Sequence, residues 1–588
     1  MIRNFASNVS LDLAPVQLWL VRAGAFALPL VVLWTTNDQV VLPKLLAARA
    51  LVMILAALLI VRWARGELKI RRTPLDLPIL AYVMSAGVST VFAANANLAF
   101  FGAYGRLEGL LTIATYGALF WLTAQSITGP THARSVVRAL LAGAFVVSLI
   151  AIGQAVGATL TAPPSGESAS GFDGVARAVG TFGNANALAA YLAMVLPLAL
   201  NELLQAKAFQ DRLLAGNLVA VTTIALVLTF GRGGWLGAMV GVVVVLAVRR
   251  PSLRRVSVVA GTAVGLVAVI AVVVALLGTG GPQIAQSTSA RLASLADPTA
   301  GSGATRLHIW SDTLAMIASR PVTGYGPDNF GLVFPRFQTG PWAGSQIIDE
   351  SHSELLQVGA TQGLIGIAAF GWLCFAVLRM CWNPHGNVYA GAVLGACAAY
   401  LITNLVNFSV VPAALPFWLF LGAATALLQG GEQPEAPTRA GRRARLPLAA
   451  SGLIALAAVS VAAIALPYLG DTRLHAGLNA FAAGDIGRAS GLVSQAGGVQ
   501  PQEALYAAVA GNVAMADGDW AAARDAYMRA ARLGSFDPSV FRQLAIADER
   551  LGLQAEAVAA ARRSVELGGF DSRNRAVLAE VLAQPAAP

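Results

Sequence analysis

About thirteen apolar runs of roughly 18 to 25 residues, centred near residues 26, 54, 85, 118, 146, 195, 222, 241, 267, 366, 398, 421 and 458, constrain this chain more than any other feature. A run of that length crosses the hydrocarbon core of a bilayer as a helix, and only helices or closed barrels satisfy their backbone there. The expected fold class is therefore all-α, a polytopic membrane helical bundle. A chain of 588 residues could otherwise hold several soluble domains, but 56% apolar against 12% charged residues excludes that arrangement. The first run, about Val16 to Trp34, has no small-residue cleavage pattern behind it and reads as a retained helix.

Charge between the runs sets the orientation. Of 40 Lys+Arg and 30 Asp+Glu, the 118 residues after Gly470 hold 11 and 13, so the net charge of +10 arises in the apolar part. There the basic residues cluster in alternate loops: Arg62, Arg65, Lys69, Arg71 and Arg72, then Arg134 and Arg138, then Lys207 and Arg212. Arg249, Arg250, Arg254 and Arg255 follow, then Arg379, then Arg439, Arg442, Arg443 and Arg445. The positive-inside rule makes these loops and the N-terminus cytoplasmic. Membrane orientation accounts for the charge without a nucleic-acid partner. An odd number of spans then puts everything after about Gly470 outside.

That last part repeats at 34 residues. Gly518-Asp519-Trp520 aligns with Gly552-Leu553-Gln554, Leu533-Gly534-Ser535-Phe536-Asp537 aligns with Leu567-Gly568-Gly569-Phe570-Asp571, and Gly484-Asp485 stands one period earlier. This resembles a tetratricopeptide (TPR) array, an α-solenoid of stacked helix pairs, and suits either a partner-binding surface or a cap.

The opposite loops hold few basic residues: Lys44, Arg106, Arg177 and Arg232. One long outer loop, about Thr279 to Ser353, adds Arg291, Arg306, Arg320 and Arg336; a loop of this length is usually functional. Of five histidines, His132 and His385 fall in cytoplasmic loops and His475 in the repeats, which leaves His308 and His352 outside. His352, in Asp349-Glu350-Ser351-His352-Ser353-Glu354, stands at the rim of the tenth run, where it could titrate or simply cap a helix. A guanidinium keeps its charge and offers a planar fork of donors that fits phosphate oxygens. Arginines converging at a membrane rim therefore suggest an anionic phosphate ester. For Arg291, Arg320 and Arg336 a snorkelling or carbonyl-satisfying role is expected.

The membrane part has no Asp-x-Asp, Walker loop, nucleophile elbow or His/Cys/Asp cluster with metal spacing, and Cys374, Cys381 and Cys397 form no disulfide or zinc pattern. Neither a metal nor another cofactor is expected. Few acids lie within the runs, which argues against an ion-coupled transporter.

Five motifs occur in order: Tyr104-Gly105-Arg106-x-x-Gly109; Gly180-Thr181-Phe182-Gly183-Asn184-x-Asn186; Gly231-Arg232-Gly233-Gly234-Trp235; Arg306-x-x-x-Trp310 leading to Pro321-x-x-Gly324-x-Gly326-Pro327-x-Asn329-Phe330; and His352-Ser353-x-Leu355-Leu356-Gln357 with Gly363 and Gly366. Together, over residues 20–430, they resemble the O-antigen ligase and polymerase superfamily, which includes bacterial protein O-oligosaccharyltransferases. The resemblance implies a metal-independent, inverting glycosyltransferase at the outer face of the bacterial cytoplasmic (inner) membrane. Its donor would be a glycan on undecaprenyl diphosphate; its acceptor would be a hydroxyl of lipid A core, of a growing glycan or of a protein. Carried across, the family's histidine matches His352 and its diphosphate-binding arginines match Arg232 and Arg306; Arg177 and Arg106 match further basic positions. Ligation leads polymerisation and protein O-glycosylation, and a lipid-linked glycan flippase is the alternative of another class. Ser353 stands where Asn is frequent, and Thr361 where a carboxylate is. The expected parts are 1–430, the ligase-like membrane part with a periplasmic loop at about 279–353; 431–470, a cytoplasmic linker and an added span; and 471–588, a periplasmic TPR-like part that could bind a protein partner.

Overall fold

The computed structural model describes residues 12–68, 70–155, 157, 177–249, 302–339, 347–382, 387–429 and 442–583, and every regular element among them is helical. The run near 267, Lys69, Arg250, Arg254, Arg255, Arg291, His385, Arg439 and the side chains of Arg442, Arg443 and Arg445 lie outside the described residues. The bundle comprises α1 (Leu13–Ala27), α2 (Val41–Arg65), α3 (Asp76–Val91), α4 (Ala96–Phe101), α5 (Leu110–Ser126), α6 (Pro130–Ala155), α7 (Ala185–Gln205), α8 (Phe209–Leu228) and α9 (Arg232–Arg249). It continues with α10 (Ser302–Ser319), α11 (Glu354–Trp382), α12 (Ala390–Leu405), α13 (Val411–Gln429), α14 (Arg442–Ser460) and α15 (Leu466–Ala482).

Eight described helices are long and apolar enough to cross a membrane, against about thirteen expected; α1, α3 and α12 are apolar but shorter. A helix apolar on every side belongs at the centre of a bundle. Accordingly α7 is buried throughout Leu188–Val195, and α13 is buried from Trp418 to Leu427. Small residues bring α9 against α7 and α12: a Cβ on Gly234 would lie 2.5 Å from Cβ of Ala189, and one on Gly241 2.7 Å from the Gly395 carbonyl. Such stripes let apolar helices pack backbone to backbone.

Two buried cations serve the scaffold. Lys44, within α2 and not in a loop, donates to the carbonyls of Val31 (2.5 Å) and Thr181 (2.7 Å). Arg49 donates to the Ala463 carbonyl at 3.2 Å, inside the π-helical turn Val461–Ala465 that joins α14 to α15. A π turn leaves carbonyls without their usual partner, and this guanidinium supplies one.

The repeats form helical hairpins. α15 pairs with α16 (Ile486–Val499), α17 (Ala504–Ala516) with α18 (Trp520–Arg532), and α19 (Pro538–Arg550) with α20 (Gln554–Gly568); α21 (Ser572–Ala583) covers the end. The turns within the hairpins carry Gly484, Gly518 and Gly552 at φ of 80°, 81° and 75°, a left-handed cap that favours glycine, at the 34-residue spacing of the sequence. Asp485 and Asp519 then cap the second helices through the amides of Arg488 and Ala522.

This solenoid docks on the loops that carry the motifs. Asp471 accepts from Tyr104 Oη (2.6 Å), the Asp38 amide (3.1 Å) and Tyr506 Oη (3.3 Å). Asn97 donates to the carbonyls of Gln502 and Leu533, Asn95 to that of Arg532, and Arg563 to that of Leu332.

Candidate functional site

The loop Pro321–Phe330 explains its own glycines. Its backbone amides at Tyr325 and Gly326 donate to the carbonyls of Ala360 and Thr361 (3.0 and 2.8 Å), where α11 is broken by Gly363 at φ 67°. A Cβ on Gly363 would sit 2.3 Å from the Val322 carbonyl oxygen, so only glycine permits this approach. Asn329 ties the loop to Asn95, accepting from its amide at 2.8 Å and donating to its carbonyl at 3.2 Å.

His352 precedes α11 in a turn with φ of 52°, a strained position for a non-glycine residue. Gln357 closes that turn: its side chain accepts from the Ser351 amide at 2.9 Å while its own amide donates to the Ser353 carbonyl at 2.8 Å. The imidazole packs against Phe408, 5.4 Å between ring centres, and its buried Nδ1 has no hydrogen-bond partner among the described residues. Burial, then the positive field of Arg306, push this imidazole down to about 4; Asp349 pulls it up and Arg106 adds to the depression.

Arg177, Arg232 and Arg306 line one cavity of about 190 Å³, together with Asn186, Thr403 and Asn407. Arg232 begins α9, directly after the tight α8–α9 turn at Phe230 (φ 51°), so it stands among the first amides of a helix N-terminus, itself an attractor of anions. Arg177 is oriented by bonds of 2.8 Å to the Thr229 carbonyl and to Asn186 Oδ1. Arg306, on the first turns of α10, is depressed by burial and by the charge of Arg232. Three cations gathered against mutual repulsion suit a polyvalent anion.

Arg106 is not in this cavity. Its guanidinium meets Asp328 (2.5 Å), Glu350 (3.0 Å) and Asp349 (3.2 Å), and these carboxylates hold its proton more firmly than usual, against the burial that disfavours the charge. It was expected with the phosphate-binding arginines; the carboxylate cage instead makes it the clamp between the Tyr104–Gly109 loop and the His352 loop. Asp328, at φ 57°, also accepts from the amides of Ala103 and Glu108, and sequence reasoning passed over it. An acid inside the glycine–proline loop, set against an arginine in another glycine loop, was the available signal. Arg320 lies over the Tyr325 ring and Arg336 faces Glu566 of the solenoid, so both serve structure; His308 is exposed on α10.

Residues 218–371 match the O-antigen ligase family. That segment carries Arg232, Arg306 and His352, while Arg106 and Arg177 precede it. No curated protein matches the chain. Among solved structures, the crystal structure of the APC/C hetero-tetramer Cut9-Hcn1 is matched at 12% identity over 82% of this chain and 78% of that one, with a TM-score of 0.20, a likeness too slight to bear on the fold.

Proposed function

We propose that this protein is a membrane glycosyltransferase of the O-antigen ligase kind, moving a glycan from undecaprenyl diphosphate to an acceptor hydroxyl at the periplasmic face. The observation that carries this reading is the cavity shared by Arg177, Arg232 and Arg306, with His352 close enough to feel the charge of Arg306. The acceptor oxygen bonds to the anomeric carbon as the bond from that carbon to the diphosphate oxygen breaks. The acceptor's proton passes to His352, and the negative charge that develops on the leaving oxygen is met by the fixed guanidinium groups. A depressed imidazole is neutral at physiological pH and therefore ready to accept a proton. A bound diphosphate would offset the field of Arg306 and raise its basicity when the reaction needs it.

Direct displacement inverts the anomeric centre, and no metal takes part in this scheme. Arg106 holds the His352 loop in place. Residues 1–430 form the transferring part, 431–470 the link, and 471–588 a periplasmic cover, in an inner-membrane protein with a cytoplasmic N-terminus. The test is an assay with purified protein, undecaprenyl-diphosphate glycan and hydroxyl acceptors in the presence of chelator. Inverted linkage and loss of transfer in both His352→Ala and Arg306→Ala are expected. A retained linkage, dependence on a metal, or normal turnover by both variants would reject the proposal.

A further inference from the structure

A second cavity, of about 510 Å³, lies across the Thr403–Ser409 segment from the arginine cavity. The segment Thr403–Ser409 walls both: Thr403, Val406 and Asn407 face the arginine cavity, Asn404 and Ser409 face the larger one, and Phe408 between them packs on the imidazole. Glu354 fixes this wall by accepting from the Ser409 amide at 2.9 Å. The two cavities have opposite chemistry. Where the first gathers three arginines, the second carries, among the described residues, Glu108, Asp328, Glu350 and Glu354 with one guanidinium, that of Arg106.

Beyond this acidic end the cavity is apolar and aromatic. Tyr116 and Tyr82 stack on Trp418 at 6.0 and 6.4 Å, and Tyr400 lies flat on Phe417 at 4.1 Å. It runs between α11 and α12, and Phe375 and Leu378 of α11 are exposed on the bundle's outer surface. Its size is that of a small-molecule site. Several polar atoms lining it have no partner among the described residues: Glu350, 3% exposed, bonds Arg106 through Oε1 while its buried Oε2 is unpartnered, and so are Nε of Arg106 and the side-chain amide of Asn404. A buried carboxyl oxygen without a donor is costly unless something arrives to supply one.

We infer that this second cavity is the acceptor site, and that it takes an uncharged amphiphile with a hydroxyl-bearing head at Glu350 and Glu108 and a hydrocarbon chain along Trp418 and Phe417. Hydroxyl groups donate to carboxyl oxygens and accept from donors such as Arg106 Nε, whereas a phosphate meets four carboxyl groups and a single guanidinium already engaged by Asp328, Glu350 and Asp349, so this cavity suits a phosphate ester far less than the arginine cavity does. A hydroxyl held at Glu350 stands in the cavity that the Thr403–Ser409 segment divides from the arginine cavity, and Glu350 belongs to the same loop as His352. The inference rests on the proposed transfer for its role, but the binding it asserts stands apart from turnover.

The test uses the full chain in lipid nanodiscs, without donor. Two probes are compared, a dodecyl maltoside and a dodecyl phosphate, each with a photoreactive group on its chain, and the labelled residues are mapped by mass spectrometry. The maltoside is expected to label the α11 and α12 residues of the cavity, with unlabelled maltoside suppressing the signal and dodecyl phosphate leaving it unlabelled. Ala398→Trp, which fills the cavity, should reduce labelling by about tenfold, and Glu350→Gln by a smaller factor. Leu394→Phe is the milder filling variant, with thermal unfolding as the check on both. Equal labelling by dodecyl phosphate, suppression by undecaprenyl phosphate, or labelling unaffected by either filling variant would overturn the inference. Arg306→Ala separates the two proposals. Intact labelling with lost transfer supports both, and intact labelling with normal transfer removes only the transfer mechanism.

Discussion

Arg306 and Arg106 both act on His352 through their charge, yet they occupy opposite kinds of surroundings. Arg306 shares a cavity with two other arginines and is disfavoured by burial and by the charge of one of them, Arg232; Arg106 is enclosed by three carboxylates that stabilise it. The difference teaches that an arginine's neighbours, and not its membrane face, decide whether it is available to a ligand. A cation surrounded by cations has affinity to offer, and one surrounded by anions has already been neutralised.

The sharpest way to break this comparison is by substitution. His352→Ala should lower kcat by about 10²–10⁴-fold, and Arg232→Ala or Arg306→Ala by about 10²–10³-fold with the folded protein retained, measured as transfer by the purified variants. Arg106→Ala should do something different in kind. It leaves Asp328 and Glu350 buried without their counter-charge, so destabilisation of about 3–5 kcal/mol is expected, read as a fall in thermal midpoint or in yield. Unimpaired stability together with a raised donor KM would return Arg106 to the phosphate-binding set.

A gentler probe is pH. His352 must be neutral to take a proton, so activity is present above its pKa and lost as pH falls through it. With that value near 4 in the free protein, kcat/KM should hold its plateau well below the ordinary 6.5 of histidine. The acid limb of kcat should lie higher, because the bound diphosphate offsets Arg306. Asp349→Asn removes an upward pull and should move the limb lower still. A limb of kcat/KM at the ordinary position would show that the imidazole is not in this field.

The smallest effect expected is at the solenoid. Asp471→Asn weakens the bonds to Tyr104 Oη and the Asp38 amide. A loss of about 1–2 kcal/mol is expected in the cooperative unfolding of the whole chain, with separation of repeat and membrane transitions as the readout.

Much of this was legible because glycine spacing encodes backbone geometry. Gly484, Gly518 and Gly552 announce the hairpin turns, whereas Gly326 and Gly363 stand in the ordered motifs without revealing that a loop there meets a broken helix. The ordered motifs likewise pointed to Arg232, Arg306 and His352, since each lies in a short stretch of distinctive composition. What escaped depends on pairings across the fold. Arg106 and Asp328 are 222 residues apart, and nothing in either neighbourhood names the other. Trp418, Phe417 and Tyr82 read as ordinary apolar residues of spanning helices, and only their arrangement makes a cavity. Lys44 read as a loop cation because charge alone does not reveal a buried carbonyl waiting for a donor.

From Leu446 to Ala482 the chain is one uninterrupted helical span, with a π turn that Arg49 grips. The solenoid is thus joined to the bundle by helix. This helix packs along α2, where Arg49 holds its π turn, and it carries Asp471, which holds Tyr104 two residues from Arg106. One continuous helix therefore ties the repeats to the loop that Arg106 clamps against the His352 loop.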